Sequence, residues 1–155
     1  MSKMKSYADT NVSPGRTKEQ IESLLLKVDA TGFCWSTQLP TSAPGYERLE
    51  AALDWNDKQI AFRLEVAYDD ERQKRQRLRA LYWYLKAKIE AIQFGLVDLE
   101  REFLPYLITA SGKTVYEELG GVDMKLLPAP LAEVAASPQR PGERAQRTEG
   151  GSGHE

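Results

Sequence analysis

LRALYWYLKAKIEAIQF, residues Leu78 to Phe94, is the stretch on which the fold of this chain depends. Most of its residues favour a helix, and its apolar side chains recur at helical spacing on two opposite sides. A surface helix normally has one apolar face. We therefore expect this helix to lie between two layers of structure.

The apolar side chains of the predicted helix fall into two stripes, because successive helical residues are rotated by about 100°. The leucine stripe comprises Leu78, Leu81, Tyr82, Leu85, Ile89 and Ile92. The alanine–aromatic stripe comprises Ala80, Trp83, Tyr84, Ala87, Ala91 and Phe94. We expect the leucine stripe to cover a sheet. The alanine–aromatic stripe packs either against residues 97–108 or against a protein partner or second copy, where Trp and Tyr serve as anchors.

The segments before this helix predict a helix and three strands. Thr17 and Gln20 fit a capping box for a first helix over about 17–30. Residues 33–37 are rich in β-prone side chains, and residues 48–55 and 59–66 alternate with the period of two that is typical of strands. Asn56-Asp57 lies between the last two strands and tolerates the left-handed backbone of a tight hairpin.

The resulting order predicts an α+β fold with helices on one face of a three-stranded antiparallel sheet. After the central helix we expect a short helix capped by Asp98, then either a small hairpin or a helix capped by Thr114. We predict three regions: a flexible arm over 1–16, one α+β domain over 17–128, and a disordered tail over 129–155. The tail is rich in Pro, Gly, Ser and charged residues, which bury too little apolar surface to offset the entropy of ordering.

Composition excludes several functional classes. The 155 residues have a formal net charge of −2, so no overall positive field attracts nucleic acid or anionic membrane. The one cysteine, Cys34, permits no intrachain disulfide and favours a reducing compartment; we expect it to be a buried structural thiol. No apolar run approaches the roughly 18 residues of a membrane span. We expect a cytoplasmic protein without cofactor or metal.

The chain offers no ordered catalytic histidine, because His154 lies beside the C-terminus. The acidic group Asp69-Asp70-Glu71 is better explained as a helix start than as a metal site. We therefore assign no catalytic residue and expect a protein that is not an enzyme.

A basic run at the start of the central helix is the strongest functional signal. Seven Lys or Arg residues and no acidic residue lie between Glu71 and Glu90. We expect the first two helical turns to project beyond a small sheet. Such a basic end with a nearby aromatic ring fits contact with DNA or RNA phosphates and stacking on a base. The residues proposed for this contact are Arg72, Arg75, Arg79, Lys86 and Trp83. The alternative is a solvated helix end balanced by acidic residues elsewhere.

Two stretches of the chain resemble a family of uncharacterised small proteins of bacteriophages and bacterial prophages. These are YADTNVSPGRTKEQIESLL, beginning at Tyr7, and ALYWYLKAKIEAIQFGLVDLEREFLPYL, from Ala80 to Leu107. The resemblance implies a mobile-element context inside a bacterial host cell and carries no catalytic residue. We expect a non-enzymatic accessory protein that binds nucleic acid or protein through its long central helix. The alternative is an enzyme, or an inhibitor of a host enzyme, with a site of carboxylates and arginines.

Overall fold

A computed structural model of the chain describes residue 7 and residues 9–120. The main elements, in order, are α1 (Pro14–Leu26), β1 (Ala30–Gln38), β2 (Gly45–Trp55), β3 (Lys58–Tyr68), α2 (Glu71–Gln93), α3 (Leu99–Phe103) and α4 (Val115–Glu118). This order confirms the predicted α+β fold. The disordered tail predicted for 129–155 and the domain end predicted at 128 lie outside the described residues.

The three strands form an antiparallel sheet in the order β1-β2-β3. The β2–β3 hairpin turns through Asn56 and Asp57, whose φ angles of 48° and 61° are the left-handed values that a two-residue hairpin turn requires. The alternation of β2 and β3 places their apolar residues on one buried face, as the sequence predicts.

Both long helices cover this buried face, and α2 does so through its leucine stripe. Leu78, Leu81, Leu85 and Ile89 are buried in α2, while Ile21, Leu24 and Leu25 are buried in α1. Leu81, Leu85 and Ile89 and the three α1 residues meet Leu49, Leu53, Phe62 and Leu64 of the sheet in one hydrophobic core. The helices also pack against each other, with α1 towards β1 and α2 towards β3. The other face of the sheet, which we call the outer face, has no helix on it among the described elements.

Helix α1 begins three residues earlier than predicted and also ends earlier. Ser13 is its N-cap, and its side chain accepts a hydrogen bond from the Arg16 N–H. Pro14 occupies the first helical position. A proline has no backbone N–H, but an N–H at this position would have no partner within the helix. The predicted cap, Thr17, is instead a buried helical residue. Asp29, with a φ of 58°, makes the turn into β1, which begins at Ala30, the residue predicted to end the helix.

The predicted projection of the first two turns of α2 is wrong, because the sheet is longer than assumed. Strands β2 and β3 have 11 residues each, or about 36 Å at 3.3 Å per residue. The 23 residues of α2 span about 35 Å. The basic end of α2 therefore lies over the sheet, and Arg77 donates a hydrogen bond to the carbonyl of Ala67 at the β3 edge.

The prediction of a buried Cys34 is also wrong, since its thiol is exposed. Cys34 is level with Glu50 of β2 and lies on the outer face, while its neighbours Phe33 and Trp35 lie on the helix face. The thiol is exposed because, in the part of the chain that the structure describes, no second layer covers the outer face at Cys34.

The C-terminal part of the described chain returns to the free edge of β3. Leu107 pairs with Phe62, and the Ile108 N–H donates to the carbonyl of Ala61 at 2.8 Å. A short bridge from Ile108 to Thr114 then leads into α4, where Thr114 and Glu117 form a capping box. The hairpin and the Thr114-capped helix, which the sequence left as alternatives, are thus both present.

Candidate functional site

The central helix is fixed to the sheet through a buried carboxylate, Glu47. Glu47 lies on the helix face of β2 and is fully buried. Its Oε2 accepts hydrogen bonds from Lys18 Nζ at 2.6 Å and Thr37 Oγ1 at 2.8 Å, and its Oε1 lies 2.8 Å from Lys74 Nζ. One side chain thereby joins α1, α2, β1 and β2.

Burial and ion pairing act in opposite directions on this carboxylate. Burial alone would raise the pKa of Glu47, because it disfavours the charged form. The bonds from the two lysines and the threonine outweigh burial and hold its pKa below the ordinary value of 4.5. The same two effects act on Lys74 with opposite signs. Burial lowers its pKa, but the hydrogen bond to Glu47 raises the pKa above its ordinary value. Both groups are therefore charged at neutral pH.

Most of the cations predicted to contact nucleic acid have partners within the chain. Arg72 lies 3.3 Å from Asp9, Arg79 donates to the Gln20 amide oxygen at 2.5 Å, and Lys86 pairs with Glu90 one turn later. Arg75 is exposed and has no ion pair among the described residues. Arg72 and Lys86 are therefore paired with carboxylates, whereas Arg79 keeps its full positive charge because its partner, the Gln20 amide, is neutral.

Trp83 lies among cations of its own helix. The Arg79 guanidinium is 5.4 Å and the Lys86 ammonium 5.8 Å from its ring centre, within the range of cation–π attraction. Tyr82 meets the same indole edge-on at 5.2 Å. The structure therefore brings Arg79, Lys86 and Trp83 together, while Arg75 and Arg72 lie about one and two turns before Arg79 on the helix.

The alanine–aromatic stripe remains largely uncovered by the part of the chain that the structure describes. Trp83 is 42% exposed and Phe94 is 79% exposed, and Leu96 just beyond the helix is 75% exposed. Ala87 is also exposed, whereas Ala80 and Ala91 are half-buried. We call the surface formed by Ala80, Trp83, Ala87, Ala91 and Phe94 the outward face of α2.

Only one side of the stripe packs against the segment 97–108. The hydroxyl groups of Tyr84 and Tyr106 are 2.7 Å apart, and Lys88 pairs with Glu102. Lys88 Nζ also lies 4.6 Å from the Tyr84 ring centre. The intramolecular alternative thus holds for Tyr84, at the flank of the stripe, and leaves the outward face without a partner in the described chain.

Beside this flank, a cleft of about 490 Å³ runs between α2, β3 and the C-terminal segment. Its walls carry Tyr84, Tyr106 and Tyr116, together with Arg63 and Glu117. Burial, reinforced by the Tyr84 hydroxyl, raises the pKa of Tyr106 to about 12. Tyr106 is therefore a neutral hydroxyl at physiological pH and not a candidate base.

The charged groups of the cleft neutralise one another. Arg63 is paired with Glu50 at 2.7 Å and lies 3.8 Å from Glu117. The Glu117 pKa is lowered, chiefly because its carboxylate accepts the Thr114 backbone N–H of the capping box. This arrangement stabilises the segment and offers no unpaired charge to a substrate.

Sequence reasoning missed the cluster of Glu47, Lys18 and Lys74. A signal existed: Glu47 is in phase with Leu49 and Ala51 on the buried face of β2. A carboxylate in phase with an apolar face is buried, and burial requires cationic partners. The identity of those partners depends on how the helices cross the sheet, which the alternation does not specify.

No protein-family model, curated protein or solved structure matches this chain. In the described residues, no helix is both long and apolar enough to cross a membrane. The same part of the chain contains no group of three or more His, Cys, Asp or Glu side chains arranged to hold a metal ion.

Proposed function

We propose that this chain is a non-enzymatic binding protein that docks another protein on the outward face of α2. The observation that carries the proposal is the exposure of Trp83 and Phe94 on one helical face, with alanines between them. Large aromatic side chains supply most of the energy at protein interfaces, and small neighbours allow a partner helix to approach closely. The phage or prophage setting is the part of the proposal that rests on the sequence resemblance.

The electrostatics favour a protein over a nucleic acid as the partner. Binding to phosphates gains affinity from cations that are free to replace counterions. Lys74 is paired with the buried Glu47, Lys86 with Glu90 and Lys88 with Glu102. These three cations carry an anionic partner into any complex, so their attraction for phosphate is reduced.

The outward face is also rigid enough to serve as a docking surface. Helix α2 is held by Leu78, Leu85 and Ile89 in the core and by the Lys74–Glu47 ion pair at its basic end. A face whose backbone is already ordered loses little further entropy when a partner binds. The partner therefore binds an already ordered helical surface, the outward face of α2, and not a loop.

Removing the two aromatic anchors is the test of this proposal. We expect a Trp83→Ala/Phe94→Ala variant to lose at least about tenfold in partner affinity, which corresponds to about 1.4 kcal/mol. Its free energy of unfolding should fall by only about 1 to 2 kcal/mol, since Phe94 is 79% exposed and Trp83 is 42% exposed. The measurement is quantitative capture from extracts of the bacterial host by the full-length chain, followed by titration of each captured protein.

Tyr116→Ala is the matched control, because Tyr116 is an exposed aromatic residue on α4 and outside the outward face. It should leave capture unchanged. Equal capture by the double variant and the wild type would refute docking on α2. Salt-dependent binding of an oligonucleotide that disappears in an Arg72→Glu/Arg75→Glu/Arg79→Glu variant would instead identify nucleic acid as the ligand.

A further inference from the structure

The outward edge of β1 is a second surface that the proposed function does not use. β1 pairs with β2 along one edge, and among the described residues no backbone group pairs with its other edge. The opposite edge of the sheet is different, because β3 is engaged by Ile108 and by Arg77. Nine residues of β1 are thus left as an open edge strand.

The pairing pattern identifies the free backbone groups of this edge. The carbonyls of Ala61 and Ala67 in β3 accept bonds from outside the sheet, so they point away from β2. In an antiparallel sheet, the backbone N–H and C=O groups of successive residues point to opposite sides of the strand. Following this alternation through the β3–β2 and β2–β1 pairings leaves the N–H and C=O groups of Phe33, Trp35 and Thr37 pointing outward.

The open edge lacks the features that normally prevent strands from pairing between molecules. Natural edge strands are protected by lysines, prolines, inward-pointing charges or strong bulges. No charged residue occurs from Ala30 to Tyr46, although charged residues make up 28% of the chain. The single bulge lies at the beginning of β1, between Ala30 and Gly32, and leaves Phe33 to Gln38 in regular register.

We infer that β1 pairs with β1 of a second copy, antiparallel, to form a continuous six-stranded sheet. A two-fold axis generates this arrangement from one self-complementary strand. The absence of charge selects the second copy as occupant: two such edges meet without like-charge repulsion, whereas a charged strand from another protein would find no opposite charge.

The side chains place the two-fold axis at Cys34. In that register Phe33 of each copy lies opposite Trp35 of the other on the helix face, giving two aromatic cross-strand pairs. The register centred on Trp35 would instead place the two indoles directly opposite each other. At Cys34 the outward-pointing residues 33 and 35 form the hydrogen-bonded pairs, so the two cysteines form a non-hydrogen-bonded pair with Cα atoms about 4.5 Å apart.

This dimer leaves the outward face of α2 accessible in both copies. Helix α2 packs towards β3, at the far side of the sheet from β1. The β1 inference therefore stands independently of the function proposed for α2, and a dimer would present two α2 faces to a partner.

The cysteine at the predicted axis supplies the first test. A Cα separation of about 4.5 Å is within the range for a disulfide, and Cys34 is the only cysteine of the chain. We expect mild oxidation of the full-length protein to convert most chains to a Cys34-linked dimer. A Cys34→Ser/Ala67→Cys variant, which carries its exposed cysteine on the outer face of β3, should cross-link at least tenfold more slowly.

A charged substitution supplies the second test. Sedimentation equilibrium under reducing conditions should show a concentration-dependent dimer for the wild type. Cys34→Lys places two like charges opposite each other at the axis and should shift the dissociation constant upward by at least tenfold. Ala67→Lys adds the same charge to the outer face of β3 and should leave the dissociation constant unchanged, with both variants checked for folding by circular dichroism.

Each other outcome overturns the inference. A wild type that remains monomeric up to millimolar concentration excludes the pairing, as does a dimer that Cys34→Lys does not weaken. A dimer lost in Trp83→Ala/Phe94→Ala but retained in Cys34→Lys would assign self-association to α2. That result would refute the β1 inference and still support the function proposed for the outward face.

Discussion

Replacing Glu47 by glutamine is expected to lower the free energy of unfolding by about 3 kcal/mol. The fully buried carboxylate is the shared partner of Lys18 and Lys74. Its loss leaves the Lys18 ammonium without a carboxylate partner and the Lys74 ammonium with only Glu71, whose Oε1 lies 4.0 Å away. We take the lower end of the range for a broken buried ion pair, because both lysine side chains retain some access to water. The measurement is urea denaturation at neutral pH, read as a lower midpoint with an unchanged slope.

Glu65→Gln is the matched control for this substitution. Glu65 pairs with Arg48 at 2.8 Å on the outer face of the sheet, where both side chains are at least one-third exposed. Exposed ion pairs contribute about 0 to 1 kcal/mol, so the control should remain close to the wild type. Equal effects of the two substitutions would contradict a structural role for the buried cluster.

The stabilisation by Glu47 should depend on pH with a defined sign. Its pKa is depressed in the folded chain below the ordinary value of 4.5. A depressed folded pKa gives stability that is present above the unfolded pKa and lost as the pH falls through the folded pKa. The difference between wild type and Glu47→Gln should therefore be full at neutral pH and shrink below pH 4.5. A difference that stays constant to pH 2 would show that the charge of Glu47 is not what stabilises the fold.

The sequence predicts the sheet and the leucine stripe well, because both depend on local periodicity. Leu78, Leu85 and Ile89 are buried where the 3.6-residue period places them, and Asn56-Asp57 makes the expected turn. The sequence contains two possible start signals for α1. Thr17 and Gln20 matched a capping box, but Ser13 followed by Pro14 was the stronger start signal and positioned the helix.

The balance of charges around α2 was not predictable in the same way. Arg72, Lys74 and Arg79 form a basic run in the sequence, yet their partners Asp9, Glu47 and Gln20 come from elements that precede α2. Those pairings depend on how α1 and α2 cross the sheet. The carboxylates of Asp9 and Glu47 therefore offset part of the positive charge of the helix, and the outward face is distinguished by its exposed aromatic rings.

Replacing Phe103 by alanine is expected to lower the free energy of unfolding by about 3 to 5 kcal/mol. Phe103 is fully buried, and its ring centre lies 4.7 Å from that of Phe62 in β3. Helix α3 has only five residues, too few to be stable in isolation. The aromatic contact must therefore supply much of the energy that docks the C-terminal segment against β3. Leu104→Ala is the control, because this neighbouring side chain is 50% exposed and should cost less than about 1 kcal/mol.

The pKa of Tyr106 in Phe103→Ala distinguishes two causes of lost stability. Either the C-terminal segment leaves β3, or the segment stays docked and a cavity remains at position 103. Burial and the Tyr84 hydroxyl raise this pKa to about 12, and both causes require the segment to lie against α2. If Phe103 holds the segment in place, its removal should return the Tyr106 pKa towards 10.0, the ordinary value. Ultraviolet titration of Phe103→Ala, with Phe103→Ala/Tyr106→Phe to assign the signal, measures this shift. A Tyr106 pKa that stays near 12 would mean that strand pairing of Leu107 with β3 holds the cleft without the Phe103 anchor.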